Sequence, residues 1–139
     1  MNTDPKSQAE KSLFESRLIS FLATLPGINN SYDNLAAALS LKTGKNVNGR
    51  SITFMSRGES YAKKWLIVAM MDWSLAEGWM PESLQDWENL VWTITGKKQP
   101  VQGGDNTAIY QVLAQKANKP ESLFQSNFEQ LLNQSYAQT

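Results

Sequence analysis

The chain has 139 residues, with 13 Lys and Arg against 13 Asp and Glu, and contains neither histidine nor cysteine. The even charge gives no global pull toward any partner, and the two absences remove disulfides, thiol nucleophiles, the commonest zinc ligands and the commonest general base. A hydrophobic content of 41% and this length suit one soluble domain, residues 1–139, whose core needs no covalent staples. The first twenty residues mix charged and apolar positions, unlike a secretory signal. The longest unbroken apolar run, Trp65–Met71, is far short of the roughly 20 residues that span a bilayer. The expected location is the cytoplasm, with no membrane partner.

In chain order, Pro5 suits the first position of a helix capped by Thr3 or Asp4. Leu13, Phe14, Leu18, Phe21, Leu22 and Leu25 make it amphipathic, and Pro26-Gly27 ends it. Ser31 or Asp33 caps a short helix over Asn34–Lys42, with Leu35, Ala38, Leu39 and Lys42 on one side and Thr43-Gly44-Lys45-Asn46 as its breaker. Val47–Glu59 is ambiguous between helix and extended chain, and helix is favoured.

The organising stretch is Ser60–Met80, which holds three of the five tryptophans. Ala62, Trp65, Leu66, Ala69, Trp73, Ala76 and Met80 form a stripe at helical spacing, while Ile67 and Met71 fall opposite. Such a helix is apolar nearly all round and is normally covered on several sides. Pro81 opens the next helix, with Leu84, Trp87, Leu90, Val91 and Ile94 on its apolar face and Gly96 as its stop. Gly96–Asp105 reads as a flexible loop. Asp105 or Asn106 then caps a helix through Lys116 with Ile109, Val112 and Leu113 inward. Asn118-Lys119-Pro120 starts the last helix, carrying Phe124, Phe128, Leu131, Leu132 and Tyr136. The expected fold is all-α, a single compact bundle of five to six helices around a buried central helix at about 60–80.

Catalytic and cofactor chemistry finds little footing. Thr43-Gly44-Lys45 and Thr95-Gly96-Lys97 resemble pieces of a phosphate loop. The required upstream glycines are Leu39 and Val91, the following Ser or Thr is Asn46 or Lys98, and both pieces follow helices rather than strands. Glu82, Asp86 and Glu88 have the ligand type for magnesium, yet acidic residues at a helix start are explained by the dipole, with the others solvated. Asp72, inside the apolar tract, reads as a rim carboxylate that is hydrogen-bonded or paired with a lysine. The expectation is a protein that is not an enzyme and uses no cofactor and no metal.

Charge is segregated along the chain. From Lys42 to Lys64 stand six cations (Lys42, Lys45, Arg50, Arg57, Lys63 and Lys64) against Glu59 alone, and from Asp72 to Glu88 stand five acids and no Lys or Arg. Asn46, Asn48, Ser51, Ser56 and Tyr61 add donors that phosphates accept, Phe54 or Tyr61 can stack on a base, and Lys97 with Lys98 form a second cationic spot. The bland alternative is mutual neutralisation of the two stretches within one fold. A third reading pairs the acidic patch of one copy with the basic patch of the next, a head-to-tail self-association. In a helix-turn-helix-like DNA-binding version, Leu13–Leu25, Asn34–Lys42 and Val47–Arg57 form the trio, and Asn48, Arg50, Ser51 and Arg57 face a major groove. Gly49 and Gly58 weaken it, at about 1 kcal/mol each relative to alanine in a helix.

In size, helix count and the basic stretch RGESYAKKW (Arg57–Trp65) beside an apolar central helix, the whole chain resembles the small all-helical subunits of type I and type III CRISPR effector (Cascade-like) complexes, a resemblance of layout rather than of motif. It implies a non-enzymatic antiviral-defence subunit of a ribonucleoprotein assembly, stacked in copies along the guide-RNA complex beside other subunits. It also implies RNA- and DNA-backbone contacts, to the crRNA–target duplex or the displaced DNA strand, through Arg50, Arg57, Lys63 and Lys64. The rival is a protein-interaction adaptor or inhibitor module anchored by Trp79, Trp87 or Trp92, although the spacing of Trp87 with Leu84, Leu90 and Val91 favours a core position for that residue.

Overall fold

Strong helix formers separated by Gly, Asn and Pro punctuation produce helices joined by short turns. The computed structural model describes residues 5–96 and 106–137, with side chains for 14–96 and 106–135. Its helices are α1 (Pro5–Ala23), α2 (Tyr32–Thr43), α3 (Gly49–Ser56), α4 (Lys64–Ala76), α5 (Leu84–Thr95), α6 (Thr107–Ala117) and α7 (Glu121–Ala137). The fold is all-α, and no strand occurs among the described residues. Among the described residues there are seven helices, rather than five or six, because 49–56 is a separate helix. The main chain groups into two compact units, Met1–Ser74 and Leu75–Thr139. The flexible loop expected at 96–105, with Lys97 and Lys98, lies outside the described residues beyond Gly96.

In the first unit α1, α2 and α3 pack on one another. Helix α1 buries Phe14, Leu18, Ile19, Leu22 and Ala23. It ends at Ala23, short of the expected Leu25, because the chain turns back at once: Asn29 and Asn30 take left-handed φ values of 56° and 59°, and the Asn30 N–H donates to the Ala23 carbonyl at 2.8 Å. Of the two cap candidates for α2, Ser31 does the work, its Oγ accepting from the Asn34 N–H at 3.1 Å. The buried face of α2 is Leu35, Ala36 and Leu39, so Ala36 takes the place expected of Ala38, and Lys42 lies exposed outside it. Gly44 ends α2 at φ 70° and donates to the Ser40 carbonyl.

Helix α4 is shorter than the expected 60–80 helix and turns another face inward. Leu66, Ile67, Met70, Met71 and, past the boundary of the unit, Leu75 are buried, whereas Trp65, Ala69 and Trp73 are half-buried and Ala76 is exposed. Of the expected stripe within α4 only Leu66 is buried and the rest flanks the core, while Ile67 and Met71, placed opposite it, lie in the core. The correction has a physical basis. In a helix apolar nearly all round, the period alone cannot select the inner face, and shape complementarity in the close-packed interior decides it.

In the second unit α5 and α6 both pack on α7. Helix α5 starts at Leu84 rather than at Pro81, with Ser83 as its cap. Trp87, Leu90 and Val91 are buried as expected, Leu84 and Ile94 are half-buried, and Ile109, Leu113, Ala117, Phe124 and Phe128 are buried as well. Trp87 meets Phe128 and Tyr110 edge-on at ring-centroid distances of 5.2 and 5.9 Å. Trp79 is buried at 5% exposure, and Trp92 is half-buried. The buried positions of Trp79 and Trp87 remove them as surface anchors. Asp86, expected to be solvated, is 1% exposed; its carboxylate accepts the Glu82 N–H at 2.9 Å and closes the turn before α5. Of the acids weighed for magnesium, Asp86 is thus committed to backbone capping.

Candidate nucleic-acid interface

The site lies within the first unit, where the end of α2 and the connector to α3 approach α4. Two small hydroxyls shape that connector. Ser40 Oγ accepts the Val47 N–H at 2.9 Å and lies 2.9 and 3.0 Å from the carbonyls of Ala36 and Val47, either of which can take its proton. Thr43 Oγ1 donates to the Leu39 carbonyl at 2.7 Å and accepts the Lys45 N–H at 3.2 Å. With Gly44 in the left-handed region, these bonds aim the Lys45 side chain back over α4.

There each lysine meets an indole. Lys42 Nζ stands 4.5 Å from the centroid of the Trp73 ring, and Lys45 Nζ stands 5.4 Å from that of Trp65. Both distances lie within the range at which the ring quadrupole attracts a cation, worth about 0.5–1 kcal/mol at exposed sites. Lys42, Lys45, Trp65, Ala69, Asp72 and Trp73 border an open groove of about 530 Å³. A second concavity of about 210 Å³ adjoins it, lined by Asn46, Ser51, Tyr61 and Lys63 and sharing Trp65 as its wall. Tyr61 is 49% exposed. The connector that carries Tyr61 and Lys63 is held to α1 by the buried carboxylate of Glu15, whose Oε2 accepts the Ala62 N–H at 3.0 Å.

The remaining expected cations stand apart from this pairing. Arg50 lies over the Phe54 ring at 5.5 Å, Arg57 forms the C-cap of α3, Lys64 opens α4, and none of the three lines either concavity. All three are exposed. Asn48, expected in a major groove, caps α3 through its Oδ1, which accepts the Ser51 N–H at 2.9 Å. Gly49 is the first residue of α3, where a Cβ would collide with Asp33 Oδ1. Both residues thus take part in building the short helix.

Trp65 and Trp73 escaped the sequence reading as site residues, because their spacing with Leu66 and Ala69 assigned them to the buried stripe. The signal available was their separation from the Ile67–Met70–Met71 side of the same helix. Asp72, read as a rim carboxylate, is half-buried and borders the groove that both lysines overhang. No helix among the described residues is long and apolar enough to cross a membrane. Compared with known protein families, with curated proteins and with solved structures, the chain matches none.

Proposed function

We infer that the chain is a non-enzymatic binding protein that holds nucleic-acid backbone through the basic face of its first unit, as a helical subunit of a larger assembly. The observation that supports this most is the pairing of Lys42 with Trp73 and Lys45 with Trp65 around one open groove. Cations beside flat apolar rings suit a polymer made of phosphates and bases. Lys63, Tyr61 and Asn46 extend the same surface across Trp65. Membership of a CRISPR effector assembly belongs to the same proposal and rests on size and helical layout alone.

The test is fluorescence anisotropy of labelled oligonucleotides at low and moderate salt, with the wild type and a Lys42→Glu, Lys45→Glu variant. Affinity should fall steeply as salt rises, because each neutralised phosphate releases counterions. Reversing both charges should weaken binding at least tenfold with the helical circular-dichroism spectrum intact. Wild-type affinity in that variant would remove these lysines from the interface. A matching variant with Arg57→Glu, Lys63→Glu and Lys64→Glu tests three of the four other described cations of the basic stretch.

One observation favours a second reading. Leu41, beside Lys42 on α2, is 87% exposed, apolar surface that a protein partner would take out of water. A salt-insensitive complex of fixed stoichiometry with another protein, without oligonucleotide binding, would favour the adaptor reading.

A further inference from the structure

We propose that the α2–α4 groove takes an unpaired strand, its bases stacking on Trp65 and Trp73 and its phosphates taken by Lys45 and Lys42. This rests on the nucleic-acid reading above and adds which form of nucleic acid is selected. Three observations carry it. The first is the placement of the rings. Trp65, Ala69 and Trp73 follow one another at intervals of four, so the two indoles stand eight residues apart, about 12 Å along α4 at 1.5 Å per residue. Ala69, with its single methyl group, leaves the groove between them clear. A stacked strand advances about 3.4 Å per nucleotide, so the rings accept bases three or four steps apart, or nearer neighbours in a stretched strand. Paired bases inside a duplex cannot present their faces to either ring, and unpaired ones can.

The second is the division of charge across the groove. Cations stand at its α2 side, whereas Asp72 borders it from α4. A phosphate is repelled by Asp72 and attracted by Lys42 and Lys45. A base is indifferent to charge across its face and finds aromatic surface beside that carboxylate. The lining therefore favours bases inward and backbone outward, the arrangement an unpaired strand adopts on a stacking platform.

The third is the position of the ammonium groups. In the free protein each lies over the ring that a base would cover. The exposed ammonium–indole contact is the weaker attraction, and a base arrives with its own phosphate attached. Binding thus exchanges partners: the base replaces the ammonium on the indole, and the ammonium moves to the phosphate. In the free state the lysines shield indole surface that would otherwise face water.

The experiment uses the full chain and two labelled probes, an oligodeoxythymidine of roughly twelve nucleotides, within the span a small single-strand site covers, and a hairpin duplex of matching length. Wild type should prefer the single strand by tenfold or more and lose affinity stepwise when the strand is cut below about four nucleotides, too short to reach both rings. Trp65→Ala with Trp73→Ala should erase the preference and leave weak, salt-sensitive binding to both probes. Equal binding of both probes by wild type, or a preference that survives in that variant, would overturn the stacking proposal while backbone binding stood. Binding of neither probe would overturn both. Should the alanine variant lose its helical spectrum, the wild-type preference and its length dependence decide the matter without it.

Discussion

The indole N–H of Trp87 donates to Asn127 Oδ1 at 2.8 Å, and the same Asn127 side chain donates through Nδ2 to the Pro81 carbonyl at 3.1 Å. One amide on α7 thereby satisfies a fully buried tryptophan of α5 and ties the chain segment entering that helix. Asn127→Leu removes both partners at once and leaves a buried donor and a buried carbonyl facing hydrocarbon, at about 1–3 kcal/mol for each group stranded. Urea denaturation should show the midpoint falling with an unchanged slope. A loss below about 0.5 kcal/mol, the scale of an ordinary surface change, would mean that the clip is dispensable.

Backbone contact by Lys42 and Lys45 has a numerical signature. For single strands the logarithm of the binding constant falls with the logarithm of salt by about 0.7 per phosphate neutralised. Lys42→Gln with Lys45→Gln should lower the magnitude of that slope by about 1.4, two phosphates' worth. A parallel line, weaker but equally steep, would show that the two ammonium groups act elsewhere than on phosphate.

Gly49 is expected to resist a substitution that usually stabilises. Alanine gains about 1 kcal/mol over glycine inside a helix, and the Gly49 backbone is not in a left-handed conformation. Yet an added Cβ would collide with Asp33 Oδ1 and lie 3.3 Å from the Asp33 Cα, so main chain as well as side chain must shift. Thermal melts should show Gly49→Ala at or below wild-type stability. A gain of the full helix propensity would refute the close approach of α2 to the start of α3.

Tyr110 gives the second unit an alkaline signature. Burial of its phenol raises the pKa above the ordinary 10.0, and nearby Glu129 adds to the rise, against a hydrogen bond with Asn106 that lowers it. The neutral phenol is favoured by the fold. Its stabilising contribution is therefore complete below the unfolded value near 10 and is lost as pH rises through the folded value. Tyr110→Phe should flatten this part of the stability profile when wild type and variant are compared from pH 8 to 11. Parallel profiles would show that Tyr110 does not set the alkaline loss.

Much of the architecture is legible locally. Ser31 as a cap, Gly44 and Gly96 as left-handed stops, and the Trp87–Leu90–Val91 face all follow from propensity and period. Other roles are not legible locally. By residue type Asp86 reads as a solvated acid, Asn48 as a polar donor in a basic stretch and Gly49 as a weak point in a helix. Each is committed instead to a neighbour that local pattern does not display: the Glu82 amide, the Ser51 amide and Asp33.

The cations of the candidate site were visible as a run from Lys42 to Lys64, because charge density along a chain needs no folding to be counted. Composition and helical period likewise determined that the chain is all-α and without His or Cys chemistry. Only the tertiary structure decided which side of α4 is inside, and hence that Trp65 and Trp73 remain within reach of solvent. It alone brought Lys42 and Lys45 onto those rings, from twenty or more positions earlier in the chain. The physical reason is that an all-round apolar helix has several faces of similar hydrophobicity. Packing chooses among them by shape, a quantity that sequence period does not carry.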